Sequence, residues 1–277
     1  PRTLAELARL VDNPDETQPI SVLKETIAAD PIATRLALKR VNSAYYGLRR
    51  KVTTAEQAVV LLGFKKVHRL LMTASLVQLR SVFSSDEHAE VYRQMIRHSI
   101  MTAGIARRAA QYLKITHAEL AYTAGLLHNI GRLVLLYNVP DPYEALWSSC
   151  DRGCLPTPEQ EIAIFGTTYA KLGAHASAEW NLSDRLVTAI HHQTDPETLV
   201  SKDPALYKLA LVVVVGQEMT RDFIHTPEAV PAFEDVRRPP SLRSLVKASE
   251  ADKEELVEMI ASELEDVLRL SQAMLEE

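Results

Sequence analysis

The histidine and asparagine at positions 128 and 129 are the side chains in this sequence best suited to chemistry. They lie within Ala121–Leu136, which reads AYTAGLLHNIGRLVLL, an apolar stretch that predicts one long helix. An imidazole and a side-chain amide can each bind a metal ion or form hydrogen bonds. A single histidine in such a stretch can equally be a core residue whose ring nitrogens are satisfied by its neighbours. Both interpretations are open at this point.

Three other histidines lie in segments that predict helices. His98 falls on or near the buried side of an amphipathic helix predicted to begin near Asp86. His191 and His192 come at the end of a later helix, where a charged imidazole would interact favourably with the helix dipole. The spacing alone therefore does not separate a functional site from ordinary helix positions.

Composition limits the class of protein. The 277 residues are long enough to bury a substantial core, and 47% hydrophobic residues with only nine glycines favour a helical globular fold. A net charge of −5 favours neither nucleic acid nor an anionic membrane surface as a partner. The apolar run at residues 209–215 is far too short to span a membrane.

The two cysteines and the first residue give expectations about cellular context. Cys150 and Cys154 occur in CDRGC, and with no other cysteine they are interpreted as two free thiols in a reducing cytosol. We therefore expect a cytoplasmic protein. The chain opens at Pro1, so we expect either that it was cut from something longer or that processing produced this start.

Helix-start signals place the elements that must position these side chains. A capping residue occurs at Asp30, followed by Pro31, at Thr53 or Thr54, and at Thr157, followed by Pro158 and Gln160. Asn42 and Gly63 should end the first two of these helices. Residues 206–220 are nearly all apolar and predict a helix buried within a bundle. The predicted fold class is all-α.

Three motifs together resemble a known family. Residues 42–47 read NSAYYG, residues 61–63 read LLG, and residues 125–131 read GLLHNIG. Over about residues 3 to 200 the sequence is similar to the HDOD family, the HD-related output domains of bacterial signalling proteins. The resemblance implies one HDOD unit, with an N-terminal helical bundle (1–84) packed on an HD-like bundle (85–221). Within residues 222–277, four prolines predict an irregular connection, and apolar residues at helical spacing predict a C-terminal helix.

The last of these motifs also resembles the HD superfamily of metal-dependent phosphohydrolases, in which a His-Asp pair binds a metal. By that resemblance His98 matches an upstream histidine ligand and His128 the first residue of the pair. Asn129 stands where the aspartate belongs, and Gly216 stands where a late aspartate is expected. Hard metal ions favour carboxylates, so we expect metal affinity to fall.

Three further positions complete the implied site. Tyr169 stands where the family often has a histidine, and His191 and His192 match a later histidine pair. Zinc could still be bound by His98, His128 and one of the later histidines. We predict instead a vestigial polar pocket without metal, cofactor or hydrolysis, made of His98, His128, Asn129, Tyr169, His191 and His192. In it, Asn129 and Tyr169 would form hydrogen bonds to the histidines.

The function implied by the resemblance is that of a non-catalytic signal-transduction output module, such as the effector part of a response regulator in a two-component system. Its partners would be other signalling proteins, including a receiver or sensor domain that precedes this chain, and a homodimer is left open. One alternative is a metal-dependent phosphohydrolase that acts on cyclic dinucleotides. The other is a nucleotide-sensing domain that uses the vestigial pocket without cleavage.

Overall fold

In the computed structural model of this protein, every regular element among the described residues is a helix, which confirms the predicted all-α class. The structure describes residues 2–11, 29–42, 51–83, 85–114, 117–150 and 155–221, with single positions at 23, 25, 27, 255, 258 and 259. Most of the connection and C-terminal helix predicted after residue 221, the NSAYYG motif beyond Asn42, and Cys154 lie outside these residues.

The helices described with full bounds in the N-terminal part of the fold are α1 (Arg2–Leu10), α2 (Pro31–Val41), α3 (Ala55–Leu62) and α4 (Phe64–Val77). Local sequence explains their starts, because Asp30 accepts a hydrogen bond from the Ala33 amide and Thr54 from the Gln57 amide. The predicted ends at Asn42 and Gly63 are also confirmed. Helix α4 contacts each of the other three and continues into a 3₁₀ turn, Gln78–Val82.

The other described helices form a bundle built on α5, which spans Asp86–Tyr112 and is about 40 Å long at 1.5 Å per residue. They are α6 (Ala118–Leu127), α7 (Ile130–Asn138), α8 (Pro140–Ser148), α9 (Pro158–Phe165), α10 (Tyr169–Glu179), α11 (Asp184–His191) and α12 (Pro204–Thr220). Within the described residues, none of the helices is both long and apolar enough to cross a membrane.

The prediction of a single long helix over residues 121–136 is wrong, because the helix is interrupted at His128 and Asn129. Helix α6 ends at Leu127, and α7 begins at Ile130. The His128 ring forms a 2.6 Å hydrogen bond through Nδ1 to the carbonyl oxygen of Gly125. A side chain that donates to a backbone carbonyl oxygen in this way competes with the backbone N–H that would bond to the same oxygen in a continuous helix.

Two glycines allow the helices around α5 to pack closely. A Cβ atom on Gly125 of α6 would lie 2.8 Å from Ala103 Cα, and one on Gly216 of α12 would lie 2.8 Å from the Thr102 carbonyl oxygen. Both neighbours are backbone atoms of α5, which cannot move aside as a flexible side chain would. The backbones of α6 and α12 therefore approach α5 more closely than other residues would permit.

Polar contacts join the N-terminal helices to the rest. Arg69 of α4 forms a 2.6 Å ion pair with Glu119 of α6, and the hydroxyl groups of Thr73 and Tyr122 are 2.8 Å apart between the same two helices. One cluster of buried apolar side chains extends from Leu4 to Met219 among the described residues. Helix α5 is therefore enclosed by a core shared with the N-terminal helices.

Candidate functional site

His98 and His128 meet in the interior of the protein. His98 lies in the middle of α5, and His128 lies in the turn between α6 and α7. Their rings make an edge-to-face contact, with centroids 4.9 Å apart and an interplanar angle of 77°. Both side chains are fully buried. The close approach of α6 to α5 at Gly125 brings this pair together.

The backbone partners of the two rings assign their tautomers. His128 Nδ1 faces the Gly125 carbonyl oxygen at 2.6 Å, and His98 Nε2 faces the Gln217 carbonyl oxygen at 3.3 Å. A carbonyl oxygen only accepts, so each of these ring nitrogens carries the hydrogen. The other nitrogens, His98 Nδ1 and His128 Nε2, are then both acceptors, and they lie 3.3 Å apart.

Asn129 supplies the hydrogen-bond donor that this pair needs. Its Nδ2 group lies 3.2 Å from His98 Nδ1 and 3.4 Å from the Met95 carbonyl oxygen. The Asn129 side chain is buried, and its Oδ1 atom has no hydrogen-bond partner among the described residues. The amide thus places its N–H groups between two acceptors. An ionised carboxylate, which has no hydrogen to donate, could not do the same.

Burial keeps both imidazoles neutral. It lowers the pKa of His98 to about 3, against the opposing effect of the Gln217 carbonyl and with help from the nearby positive charge of Arg132. Burial also lowers the pKa of His128 well below its usual value, and His98 adds to this effect. Each ring therefore carries a lone pair on one nitrogen rather than a positive charge at neutral pH, and Asn129 donates to that of His98.

Two glutamines that the sequence analysis did not single out complete the network. Gln193 is buried and donates through Nε2 to the carbonyl oxygens of His128 and Ile190, each at 2.9 Å. Its Oε1 atom accepts a hydrogen bond from Gln217 Nε2, and the Gln217 carbonyl in turn accepts from His98. These bonds connect α5, the α6–α7 turn, the end of α11 and α12. We refer to His98, His128, Asn129, Gln193 and Gln217 as the amide–histidine network.

Helix packing leaves no room for a side chain at Gly216, the position where a late aspartate is expected. Gly216 lies against the backbone of Thr102, so a side chain there would force α12 away from α5. The next residue, Gln217, reaches His98 through its main chain. The only sequence signal for either glutamine was its place, immediately after His192 or after Gly216.

The later histidines do not join the buried pair. His191 is exposed, and its ring contacts that of His192 with centroids 4.8 Å apart. His192 is half-buried, and its Nδ1 atom lies 2.8 Å from the Thr198 hydroxyl at the surface. Gln193, which follows them, occupies the inward-facing position.

Tyr169 lies on Arg132, and this pair belongs to a second buried polar cluster. The guanidinium carbon of Arg132 is 3.9 Å from the centroid of the Tyr169 ring. A Cβ atom on Gly131 would lie 1.9 Å from the Tyr169 carbonyl oxygen, so α7 and α10 touch through their backbones. The absence of a side chain at Gly131 is therefore what places Arg132 beneath Tyr169.

Glu161 of α9 is the acidic member of this cluster. Its Oε1 atom lies 3.5 Å from Arg132 Nη1 and accepts a 3.3 Å hydrogen bond from the Tyr143 hydroxyl, and its Oε2 atom accepts a 2.7 Å bond from the Tyr169 amide. Burial alone would lower the pKa of Arg132, but Tyr143, Glu161 and Tyr169 raise it above its usual value. Burial raises the pKa of Glu161, and Arg132 opposes that rise.

The chemistry open to the histidine pair follows from its donor set. Two imidazole nitrogens bound to one tetrahedral ion would lie about 3.4 Å apart, close to the separation seen here. However, nowhere in the described part of the chain do three His, Cys, Asp or Glu side chains group as metal ligands would. Without carboxylates, the network is best suited to joining helices through hydrogen bonds.

Comparison with known proteins identifies a family and a relative that resemble this chain. The HDOD domain family model matches residues 1–196. A protein of Treponema pallidum (strain Nichols), named only as uncharacterized, is 25% identical over 225 residues; these are 81% of this chain and 42% of that protein. The chain therefore spans less than half the length of that relative.

Solved structures share the fold at low sequence identity. An HDOD domain protein with unknown function from Geobacter sulfurreducens is 18% identical, with a TM-score of 0.67 over 99% of this chain and 92% of its own. A "putative signal transduction protein" from Marinobacter aquaeolei VT8 has the same TM-score at 19% identity, covering 99% of this chain and 59% of its own. A "putative phosphohydrolase" from Shewanella amazonensis SB2B is 23% identical, with a TM-score of 0.63 over 99% and 91% of the two chains. Because the family model covers residues 1–196 of 277, this chain belongs to the HDOD domain family.

Proposed function

We propose that this chain is a non-catalytic output module of a signalling protein and acts through contacts with other proteins. The observation that carries the proposal is Asn129, a neutral amide buried beside His98 where a hydrolase of the HD type needs a carboxylate. Metal-assisted hydrolysis requires a ligand set that holds the ion and orients the water bound to it. The amide–histidine network instead uses its polar groups to join helices.

The burial of the network also supports a role without a substrate. His98, His128, Asn129 and Gln193 are all buried, and their hydrogen bonds run to each other and to the backbone. The name of the Marinobacter protein, which shares this fold, supports a place in signal transduction. Fold alone does not fix function, so this support is by analogy.

Metal content and turnover test the proposal. Protein purified without chelators should contain far less than one metal ion per chain by elemental analysis, and His128→Ala should not change that value. We expect no hydrolysis of cyclic dinucleotides or nucleotides with added magnesium, manganese or iron. Turnover that is lost in His128→Ala but kept in the exposed control His191→Ala would contradict the proposal.

A metal-dependent phosphohydrolase is the second candidate, and one observation favours it. The lone pairs of His98 Nδ1 and His128 Nε2 lie 3.3 Å apart, a separation suited to two ligands of one zinc ion. In that case the purified protein would hold close to one equivalent of zinc, manganese or iron. The metal would be lost in His128→Ala and retained in His191→Ala.

A further inference from the structure

Helix α9 attaches to the protein in an unusual way. Its one buried residue is Glu161, whereas Ile162 and Ile164 are 49% and 53% exposed. Pro158 and Phe165, on the same side of the helix as Glu161, are only half-buried. Glutamate is almost never fully buried unless it is paired, and amphipathic helices normally bury their apolar side. Phe165 packs against the core and against the Tyr143 ring, with centroids 5.7 Å apart, and the Glu161 carboxylate is the only fully buried part of α9.

The groups around that carboxylate would suit any small oxyanion. The Tyr169 amide at the start of α10 donates to it, and this eleven-residue helix directs the positive end of its dipole toward the same point. The capping side chain of Thr168 is used by the Lys171 amide, which leaves the Tyr169 amide for another acceptor. The Tyr143 hydroxyl supplies a second donor.

Arg132 is an independent reason for an anion at this place. It belongs to α7, is 3% exposed, and is fixed by the Tyr169 ring and by a 3.1 Å hydrogen bond to the Pro156 carbonyl oxygen. Its Nε atom has no hydrogen-bond partner among the described residues. If α9 moved away, a buried guanidinium would lose its counter-charge, which is strongly unfavourable. The site is therefore more stable with an anion beside Arg132 than without one.

We propose that Glu161 is the built-in ligand of an oxyanion site formed by Arg132, Tyr143 and the Tyr169 amide, and that α9 is a latch on this site. An external carboxylate or phosphate group that replaces the Glu161 carboxylate releases α9 from the protein. Release moves the exposed Ile162 and Ile164 together with the helix. In this way binding of a small anion changes the surface that α9 presents to other proteins.

Chemical rescue tests the site. Glu161→Ala removes the internal ligand, and the control Glu159→Ala removes an exposed carboxylate from the same helix. Melting temperatures are measured with acetate, inorganic phosphate or chloride at matched ionic strength. We expect acetate or phosphate to raise the melting temperature of Glu161→Ala by about 2–5 °C over chloride, and to have little effect on the control. A rise with acetate alone or phosphate alone assigns the anion class. Equal responses in the two variants would overturn the proposal.

Hydrogen exchange tests the latch in the unaltered chain, and it also decides the matter if Glu161→Ala does not fold. The amides of residues 162–165 and of Tyr169 should exchange several-fold faster in acetate or phosphate than in chloride at the same ionic strength. Amides in the middle of α5 serve as the internal control and should not change. Unchanged exchange in α9 with either anion would overturn the latch.

Discussion

The amide of Asn129 donates to His98 Nδ1, which is an acceptor because His98 Nε2 already donates to the Gln217 carbonyl oxygen. His128 presents a second lone pair in the same small volume. A carboxylate in this position would bring a third set of acceptors and a buried negative charge. The chemistry of the site therefore depends on whether residue 129 carries an amide nitrogen or a second carboxylate oxygen.

Asn129→Asp should reveal this dependence. In the presence of a chelator we expect a loss of about 2–4 kcal/mol in the free energy of unfolding, because the buried carboxylate would face His98 Nδ1 and the Met95 carbonyl without a cation. Urea denaturation measures the loss. Added zinc or manganese should recover part of it.

The matched control is Asn138→Asp, which makes the same chemical change at an exposed position of α7. Because Asn138 donates a 2.8 Å hydrogen bond to the Val134 carbonyl oxygen at the end of α7, a carboxylate there should lower the free energy of unfolding by up to about 1 kcal/mol, less than at position 129. Equal stabilities for the two variants would show that position 129 does not require a donor.

The buried histidines also predict how stability depends on pH. Burial lowers the pKa of His98 to about 3, whereas the unfolded chain has an ordinary histidine pKa of about 6.5. Between these values the unfolded state binds a proton that the folded state does not. The free energy of unfolding therefore suffers no loss from His98 above pH 6.5. It falls progressively as the pH drops from 6.5 toward 3.

From this difference we expect His98 to account for a loss of about 2 kcal/mol in the free energy of unfolding between pH 7 and pH 5. Urea denaturation of His98→Gln at both pH values should show a loss smaller by that amount than the unaltered protein shows. His191→Gln, at an exposed position, is the control and should leave the loss unchanged. An equal pH dependence in His98→Gln would contradict the assignment.

At the scale of elements, backbone contacts between helices position the side chains. The 1.9 Å distance from a Cβ on Gly131 to the Tyr169 carbonyl oxygen shows that α7 and α10 could not keep their separation with any other residue there. Gly173 lies on the other side of this contact, where an added Cβ would first meet the Ile190 Cγ2 atom at 3.1 Å. The two glycines therefore differ in how much space their neighbours can yield.

Gly131→Ala should lower the free energy of unfolding by roughly 3 kcal/mol or more, because a backbone oxygen must move. Gly173→Ala should cost roughly 1 kcal/mol, since a side chain can shift by a few tenths of an ångström. Chemical denaturation of both variants measures the difference. The reverse order would show that α7 and α10 are not in the described contact.

At the scale of the whole molecule, the apolar core and the α4–α6 contacts join the N-terminal helices to the bundle around α5. Arg69 and Glu119, each largely buried, pair across this boundary beside the Thr73 and Tyr122 hydroxyls. The same cluster of buried side chains contains Leu4 of α1 and Met219 of α12. The two groups of helices should therefore unfold together.

The two tryptophans make this expectation measurable. Trp147 and Trp180 both belong to the bundle around α5, so their fluorescence reports on that part alone, whereas circular dichroism at 222 nm reports on all helices. We expect the two signals to give one coincident transition in urea. An earlier transition in circular dichroism would mean that the N-terminal helices unfold separately.

Sequence determined the features that depend on neighbouring residues. Asp30, Thr54 and Thr157 cap their helices through bonds to an amide three residues ahead, so their effect is visible in the local string. The predicted helix start at Thr157 is confirmed, with its full capping box. The HDOD motifs, which are also local strings, were sufficient to assign the family.

Tertiary structure alone decided which polar groups meet inside the protein. The contact between His98 and the Gln217 carbonyl joins residues 119 positions apart, and that between Gln193 and the His128 carbonyl joins residues 65 apart. Glu161 was not singled out from the sequence, yet it is buried beside Arg132, 29 positions away along the chain. Such contacts follow from the packing of helix against helix, and helical periodicity identifies a buried side without specifying what it faces.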